Sequence, residues 1–259
     1  MIPVIFIHQG QNDYLYHSVT KAKKFNKEVL LIGTHNHDAE KFYSIENYWK
    51  ECDEFKSIYQ HMSTNRHDYE LFCIQRWFVL KNFMQENNIT DCCYVDSDVL
   101  LFENINEDYK NYSDYIMSLV FGTCAVVSFI TKKALDMFCD YIMNIYSNKH
   151  QYNYQEMEAF YKARLACGLN GGVCDMTLLR KFAYQFPNAI GELTHPIDNK
   201  VYDHCFNQKD YYYEFHNGLK SINFVDSKPY CVNLTTNKMI QFKSLHFQGD
   251  SKKFIKNYV

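Results

Sequence analysis

Short apolar runs alternate with longer helical patterns in the first part of the chain. Apolar strands are predicted at residues 3–8 and 28–33, and a helix reaching to about Phe25 lies between them. A strand, a helix and a second strand in this order are typical of a parallel sheet whose strands are joined by crossover helices. The pattern therefore predicts an α/β fold.

Helical spacing of apolar residues is clearest over residues 68–87, where Leu71, Ile74 and Phe78 share one face. A short apolar strand follows at 92–95. Thr131 has the side chain of a helix cap, and the helix after it is predicted to run to about residue 145. The remaining predictions are a helix at 43–51, an extended segment at 56–59, strands within 115–130, helices at 156–166 and 176–186, an irregular region at 187–237 and a last strand at 239–246.

Composition excludes several classes of protein. The 259 residues are 47% hydrophobic and carry a net charge of −3, which excludes a disordered chain and a protein that coats nucleic acid. No apolar run reaches the roughly 20 residues of a transmembrane segment. Several of the ten cysteines lie inside apolar segments, so we expect reduced core residues. None forms a C-x-x-C pair, which disfavours a structural zinc site. We expect one cytoplasmic domain, 1–259, which can lie at a membrane surface, with a nucleotide-sugar half at 1–130 and an acceptor half at 131–259.

Two aspartates, Asp96 and Asp98, come directly after the predicted strand at 92–95. Open α/β sheets bind ligands at the carboxyl ends of their strands. Neighbouring carboxylates repel each other unless a cation joins them, and Mg²⁺ or Mn²⁺ suits such oxygen ligands. Asp-Ser-Asp also suits a simple turn. The apolar segments on both sides favour the metal site.

A second polar string, His-Phe-Gln-Gly-Asp-Ser-Lys, occupies residues 246–252 after the last predicted strand. The imidazole of His246 can complete a metal shell that carboxylates hold. Gly249 allows a ligand to approach the backbone closely, and Lys252 can hold a phosphate. A histidine after a strand is more often a structural residue. Its pairing with the distant Asp-x-Asp favours metal binding here.

These motifs, in this order, resemble those of nucleotide-sugar glycosyltransferases of the GT-A fold, and are similar to the glycogenin and lipopolysaccharide galactosyltransferase family. The resemblance implies a single GT-A, Rossmann-like domain: a mostly parallel central sheet flanked by helices, with an irregular C-terminal acceptor region. It also implies that Asp96, Asp98 and His246 bind Mn²⁺ or Mg²⁺, and that Lys252 contacts the donor diphosphate.

The resemblance implies a set of donor-binding residues as well. Arg76, in the long predicted helix, matches an arginine that lies near the donor in that family. A UDP-sugar is the expected donor, and the acceptor is a glycan, a lipid-linked molecule or a protein. The implied donor-binding residues are His8, Gln9, Gly10, Asn12, Tyr14, Arg76, Asp96, Ser97, Asn170, Gly171, Gly172, Gly249 and Lys252.

Asp175 ends the segment Asn-Gly-Gly-Val-Cys-Asp at 170–175, which resembles the lining of the family's sugar pocket. The two glycines let the backbone approach a ligand. Asp175 also stands where an aspartate caps a helix, and the two roles are compatible. In an inverting enzyme Asp175 is the candidate catalytic base for the acceptor hydroxyl. In a retaining enzyme it orients the sugar.

Two other functions stay open. A nucleotidyltransferase acting on a sugar phosphate usually has a glycine-rich, basic loop after its first strand, and residues 8–12 hold one glycine and no lysine or arginine. A non-catalytic nucleotide-sugar-binding protein has no need of all three candidate metal ligands. His35, His37 and Asp38 follow the second strand. A solvated loop, with at most a ribose contact by Asp38, is favoured there over a second metal site.

Overall fold

The structure, a computed structural model, describes residues 1–37 and 39–259. Its first six strands are β1 (Val4–His8), β2 (Val29–Gly33), β3 (Phe42–Ser44), β4 (Asp91–Val95), β5 (Val99–Leu101) and β6 (Met117–Val120). The next are β7 (Cys124–Thr131), β8 (Ile190–Glu192), β9 (Lys200–Val201), β10 (Phe215–His216), β11 (Leu219–Lys220), β12 (Asn223–Val225), β13 (Lys228–Asn233), β14 (Lys238–Phe242) and β15 (Ser244–His246).

The α-helices fall between these strands along the chain. They are α1 (Asp13–Phe25), α2 (Lys50–Ile58), α3 (His67–Glu86), α4 (Ile105–Asp108), α5 (Lys132–Ser147), α6 (Tyr152–Ala166) and α7 (Asp175–Gln185). Short 3₁₀ helices cover Ile45–Tyr48, Tyr109–Asn111 and Gly249–Tyr258.

The chain divides into two compact units. Unit 1 comprises Met1–Tyr43, Asp91–Ile130 and Asn188–Val259, and unit 2 comprises Ser44–Thr90 and Thr131–Pro187. Each unit therefore takes segments from both sides of residue 130, in contrast to the expected halves at 1–130 and 131–259.

Unit 1 contains a seven-stranded sheet with the order β3-β2-β1-β4-β7-β6-β8. β1 pairs in parallel with β2 and β4, and β6 pairs in parallel with β8 and antiparallel with β7. β1 and β2 are buried along their whole length, as strands of a covered parallel sheet are. Helix α1 packs Leu15, Val19 and Ala22 into the same core cluster. The predicted α/β fold with a mostly parallel sheet is confirmed.

β15 connects the late part of the chain to the segment after Asp98. It pairs antiparallel with β5, with His246 opposite Val99. The single strand predicted at 239–246 is wrong in detail, because β14 and β15 are separate strands in different sheets. β5 itself was not predicted. Its three residues are too few to show a period of their own.

Unit 2 is helical, and aromatic rings from three of its helices pack together in its core. The Trp77 ring centroid lies 5.5 Å from that of Phe138, which lies 5.3 Å from that of Phe182. The predicted cap of α5 is confirmed, since Thr131 Oγ1 accepts a hydrogen bond from the Ala134 N–H at 3.1 Å.

Two local predictions in unit 2 are wrong. The helix predicted at 43–51 is a short strand and a 3₁₀ turn up to Tyr48, and the extended segment predicted at 56–59 lies mostly inside α2. The reason is that Cys52 and Phe55 are both buried, at the three-residue spacing of one helix face.

Of the ten cysteines, all but Cys73, Cys167 and Cys174 are buried. Within the described residues, no helix combines the length and the apolar character needed to cross a bilayer.

Candidate active site

The three predicted metal ligands meet in unit 1. Asp96, Asp98 and His246 each offer a ligand atom, and these atoms all lie within 4.8 Å of one another. Asp98 and His246 are buried, and Asp96 is half-buried. The segment is also a turn, because the Val99 N–H donates to the Asp96 carbonyl at 3.2 Å. The turn and the acidic cluster are thus one feature.

The orientation of His246 follows from the segment beside it. Its Nδ1 lies 2.5 Å from the His204 carbonyl oxygen, and its backbone N–H donates to Asp203 Oδ2 at 3.0 Å. A carbonyl can only accept, so Nδ1 carries the proton and a neutral ring keeps its lone pair on Nε2.

Nε2 faces the Asp98 carboxylate, with 3.5 Å between Nε2 and Oδ1. Two hydrogen-bond acceptors at this distance repel each other unless a proton or a metal ion lies between them. Two carboxylates and one imidazole form a donor set that suits Mn²⁺ or Mg²⁺. The residues present therefore fit a divalent cation.

Tyr94 positions Asp96, the other aspartate of the cluster. Its hydroxyl, on a fully buried ring, donates to Asp96 Oδ1 at 2.7 Å. Tyr94 and Asp96 are two residues apart on β4 and the residue after it, so their side chains point to the same face. Sequence reasoning missed Tyr94, although this two-residue spacing could have revealed it.

Lys252 is the cation of the cluster. Its Nζ lies 3.1 Å from Asp98 Oδ2 and 5.1 Å from the centroid of the Tyr14 ring. Burial lowers the pKa of Lys252, but Asp98, Tyr14 and Asp96 together outweigh burial, so the pKa is raised overall. The 3₁₀ helix that carries Lys252 begins at Gly249, whose φ is +57°. A side chain there would meet open space, so the backbone angle is what favours glycine.

His8 ends β1 beside the aspartates, as expected for neighbouring parallel strands. Its Nε2 accepts from the Asn12 amide at 2.9 Å, and its Nδ1 lies 3.1 Å from Ser97 Oγ. Burial lowers the pKa of His8 to about 4, so the ring is uncharged at neutral pH. Tyr14 packs edge-on against it. Gln9, in contrast, is exposed.

The loop after β2 is tied to the turn after β1. The Gly10 N–H donates to Thr34 Oγ1 at 2.9 Å, and His37 Nε2 donates to the Gly10 carbonyl at 3.1 Å. His37 is therefore a structural contact, whereas His35 is exposed. Asp38, considered for the ribose, lies outside the described residues.

Arg76 and Asp175, assigned separate roles from the sequence, form an ion pair in unit 2. Arg76 Nη2 lies 2.5 Å from Asp175 Oδ2, and both side chains are largely buried. Trp77 Nε1 donates to the same oxygen at 3.3 Å, and the Met176 N–H donates to Oδ1 at 2.9 Å. Asp175 is the first residue of α7, after the cap residue Cys174. Both carboxylate oxygens are already engaged.

The Gly-Gly segment approaches the chain's own backbone. A Cβ on Gly172 would lie 2.1 Å from the Met62 carbonyl oxygen. The Gly171 N–H donates to Thr64 Oγ1 at 2.7 Å, and the Asn170 carbonyl accepts from Arg164. The sequence predicted that a ligand approaches the backbone here. At Gly172 the group that approaches closely is the Met62 carbonyl.

Comparison with known proteins gives the fold a name. No protein-family model and no curated protein matches the sequence. An active-site mutant of LgtC, a galactosyltransferase, matches with a TM-score of 0.52 and 11% identity over 99% of this chain and 95% of that one. Mouse xyloside xylosyltransferase 1 matches with a TM-score of 0.52 and 7% identity, covering 77% of this chain and 87% of that one. The chain has the GT-A fold.

In this GT-A fold the candidate metal cluster lies where β1 and β4 end. The parallel pairing of β1 with β4 places His8 beside the Asp-Ser-Asp turn, and the pairing of β5 with β15 adds His246. The ligand position expected for open α/β sheets thus coincides with the acidic cluster.

Proposed function

We propose that this protein is a metal-dependent glycosyltransferase. It transfers a sugar from a nucleotide diphosphate, with a UDP-sugar as the preferred donor, to a hydroxyl of a glycan, lipid-linked or protein acceptor. The observation that carries the proposal is the pair of facing acceptors, Asp98 Oδ1 and His246 Nε2, in a cluster with Asp96. The GT-A fold, shared with two glycosyltransferases, supports it.

Asp98 and His246 would hold Mn²⁺ or Mg²⁺ directly. Tyr94 donates a hydrogen bond to Asp96 and so fixes the orientation of this carboxylate, which we assign to the metal ion or to the donor ribose. A bound divalent cation neutralises the diphosphate and stabilises it as a leaving group.

Lys252 is placed to contact the donor diphosphate, because its ammonium group lies at the edge of the acidic cluster and is about one-third exposed. The uncharged pair His8 and Asn12, with Ser97 and the Tyr14 ring, offers hydrogen bonds and an aromatic face without adding charge. We assign these residues, with the Gly10 turn, to the base and ribose.

Asp175 is better suited to orienting than to proton transfer. To accept a proton from the acceptor, its carboxylate would have to release Arg76 or the Met176 N–H. We therefore propose that Asp175 is a positioning residue that fixes the Arg76 guanidinium, and not a catalytic base.

We place the reaction in the cytoplasm. The support is that seven of the ten cysteines are buried in the core, where a reduced thiol packs as a small apolar side chain.

A panel of UDP-sugars, assayed for UDP release with Mn²⁺ or with EDTA, tests the proposal. We expect one UDP-sugar to be hydrolysed slowly, and EDTA to abolish the reaction. Asp98→Asn should abolish it too, whereas Asp250→Asn, an exposed neighbour of the His246 motif, should not.

Other outcomes would point to other functions. Release of pyrophosphate from a nucleoside triphosphate and a sugar phosphate would show a nucleotidyltransferase. Metal-dependent UDP binding without turnover of any donor would show a binding protein. If the protein neither binds UDP nor shows a thermal shift with Mn²⁺, Asp-Ser-Asp is a turn and not a metal site.

A further inference from the structure

A cavity of about 300 Å³ opens in unit 1, apart from the acidic cluster. Its lining comes from the turn after β6, the segment after β8 and the region around β10 and β11, and includes Phe121, Glu192, His204, Asp210, Tyr212 and Lys220. Most of this lining belongs to the region that the sequence described only as irregular.

The cavity shares a wall with the candidate metal site. Asp203 and His204 both line it, and these residues also accept the two hydrogen bonds that orient His246. A molecule in the cavity would therefore lie against the segment that holds a candidate metal ligand.

Two exposed aromatic rings border the cavity. Phe121 is 50% exposed and Tyr212 is 58% exposed, although both line a concave site. Phe121 also has a φ of +52°, a conformation that a bulky residue rarely adopts. Its backbone N–H donates to Glu192 Oε1 at 2.9 Å, and its ring lies 4.6 Å from that of His204. Strain of this kind is typical of functional sites.

The charges of the cavity disfavour an anionic ligand. Lys220 is almost fully buried, and it pairs with Asp203 at 2.7 Å and Asp210 at 3.1 Å. Glu192 adds a third carboxylate, so negative charges outnumber the single ammonium. Glu192 Oε1 accepts from Phe121 and Thr194, while Oε2 accepts no hydrogen bond from residues 1–37 or 39–259.

We propose that this cavity binds a neutral sugar ring of the acceptor, with Phe121 and Tyr212 against the ring and Glu192 Oε2 accepting from a hydroxyl. Aromatic faces with a few convergent polar groups suit a ligand that has apolar C–H faces and many hydroxyls. The inference rests on the proposed function, and it selects a glycan among the three acceptor classes.

Binding of methyl glycosides of glucose, galactose and xylose, measured by saturation-transfer NMR with and without UDP and Mn²⁺, tests this inference. We expect at least one glycoside to bind, and glucose 6-phosphate to bind more weakly than glucose. Phe121→Gly, chosen because glycine tolerates the positive φ, and Tyr212→Ala should each weaken binding about fivefold to tenfold. Tyr211→Ala is the matched control, since Tyr211 is 88% exposed and does not line the cavity.

Glu192→Gln keeps an acceptor at Oε1 and should weaken glycoside binding by a smaller factor, so the inference does not depend on one variant folding. Three results would overturn it: no glycoside binds although UDP with Mn²⁺ does, Phe121→Gly and Tyr212→Ala bind like the wild type, or the sugar phosphate binds as tightly as the sugar. Glycoside binding without any UDP–Mn²⁺ binding would instead reject the proposed function and keep the cavity assignment.

Discussion

A buried aspartate in unit 2, Asp175, and one in unit 1, Asp98, have contrasting electrostatic surroundings. In unit 2, Asp175 has a guanidinium on one oxygen and a backbone N–H on the other. In unit 1, Asp98 faces the lone pair of His246 on one oxygen and the half-buried Lys252 on the other. The first carboxylate is compensated within the protein, and the second is compensated only in part.

This difference makes Asp98 the better candidate for a ligand-binding carboxylate and Asp175 the better candidate for a structural one. Burying a charge is costly unless hydrogen bonds and an opposite charge compensate it. Where two hydrogen-bond acceptors face each other, as Asp98 and His246 do, their repulsion destabilises the site. Only a further cation or a proton between them can remove this repulsion. We therefore expect changes at Asp98 to affect function, and changes at Asp175 to affect stability first.

The largest expected effect is that of Asp98→Asn on turnover. Loss of this carboxylate should lower the rate of metal-dependent UDP release by roughly 10²- to 10⁴-fold, while the stability of the metal-free protein stays close to that of the wild type. Mn²⁺ should raise the melting temperature of the wild type and of Asp250→Asn, but not that of Asp98→Asn. An equal thermal shift in all three proteins would contradict the metal site.

Asp175→Asn should act mainly on folding. It removes the carboxylate charge that faces the Arg76 guanidinium in a buried ion pair, which should cost about 3 kcal/mol of unfolding free energy in a urea titration. Glu158→Gln, which removes the carboxylate from the exposed pair with Lys162, is the control and should cost less than about 0.5 kcal/mol. If Asp175→Asn keeps full stability and loses all turnover, Asp175 is a catalytic base after all.

Acid should lower the folding stability of unit 1, because His8 is buried there as a neutral ring. The folded protein holds this ring neutral down to about pH 4, whereas the unfolded chain takes up the proton near pH 6.5. The unfolded state then binds more protons, so stability falls as the pH drops from 6.5 to 4, by roughly 3 kcal/mol. His8→Gln should reduce this dependence without removing it, because burial lowers the pKa of His204 to about 4 as well. His150→Gln, at an exposed position, should leave it unchanged. Equal pH profiles for the two variants would contradict the burial argument.

The smallest expected effect is that of Lys252→Met on donor affinity. Loss of one charge-assisted contact to the diphosphate should weaken UDP binding about tenfold in the presence of Mn²⁺. Lys253→Met changes an exposed neighbour of the same helix and should shift the affinity less than twofold by titration calorimetry. Similar losses in both would point to a general electrostatic effect.

The fold was predictable because its strands carry short-range signals. β1, β2 and β4 each contain an uninterrupted apolar run, and the aspartates follow the last of these runs directly. Asp96, Asp98 and His246 were recognisable from their residue types and from the resemblance to GT-A enzymes. Their meeting, however, depends on the pairing of β5 with β15, which is a long-range contact that no local pattern contains.

The partners of these side chains were harder to predict. Arg76 and Asp175 lie 99 positions apart, and no pattern in either segment predicts the ion pair. The same holds for Lys220, a lysine in a polar stretch that becomes almost fully buried once Asp203 and Asp210 surround it. Burial of this kind follows from tertiary packing, so it becomes visible only in the folded chain.

The pairing of β5 with β15 also determines when the metal cluster can form. Asp96 and Asp98 sit on an early segment, but their third partner arrives only when Ser244–His246 adds to Val99–Leu101. Closing so long a stretch of chain is a late and entropically costly step in folding. A partly folded molecule in which these strands have not paired therefore has the two aspartates without the histidine. Under the proposed function, cation binding would report that the C-terminal strands have assembled.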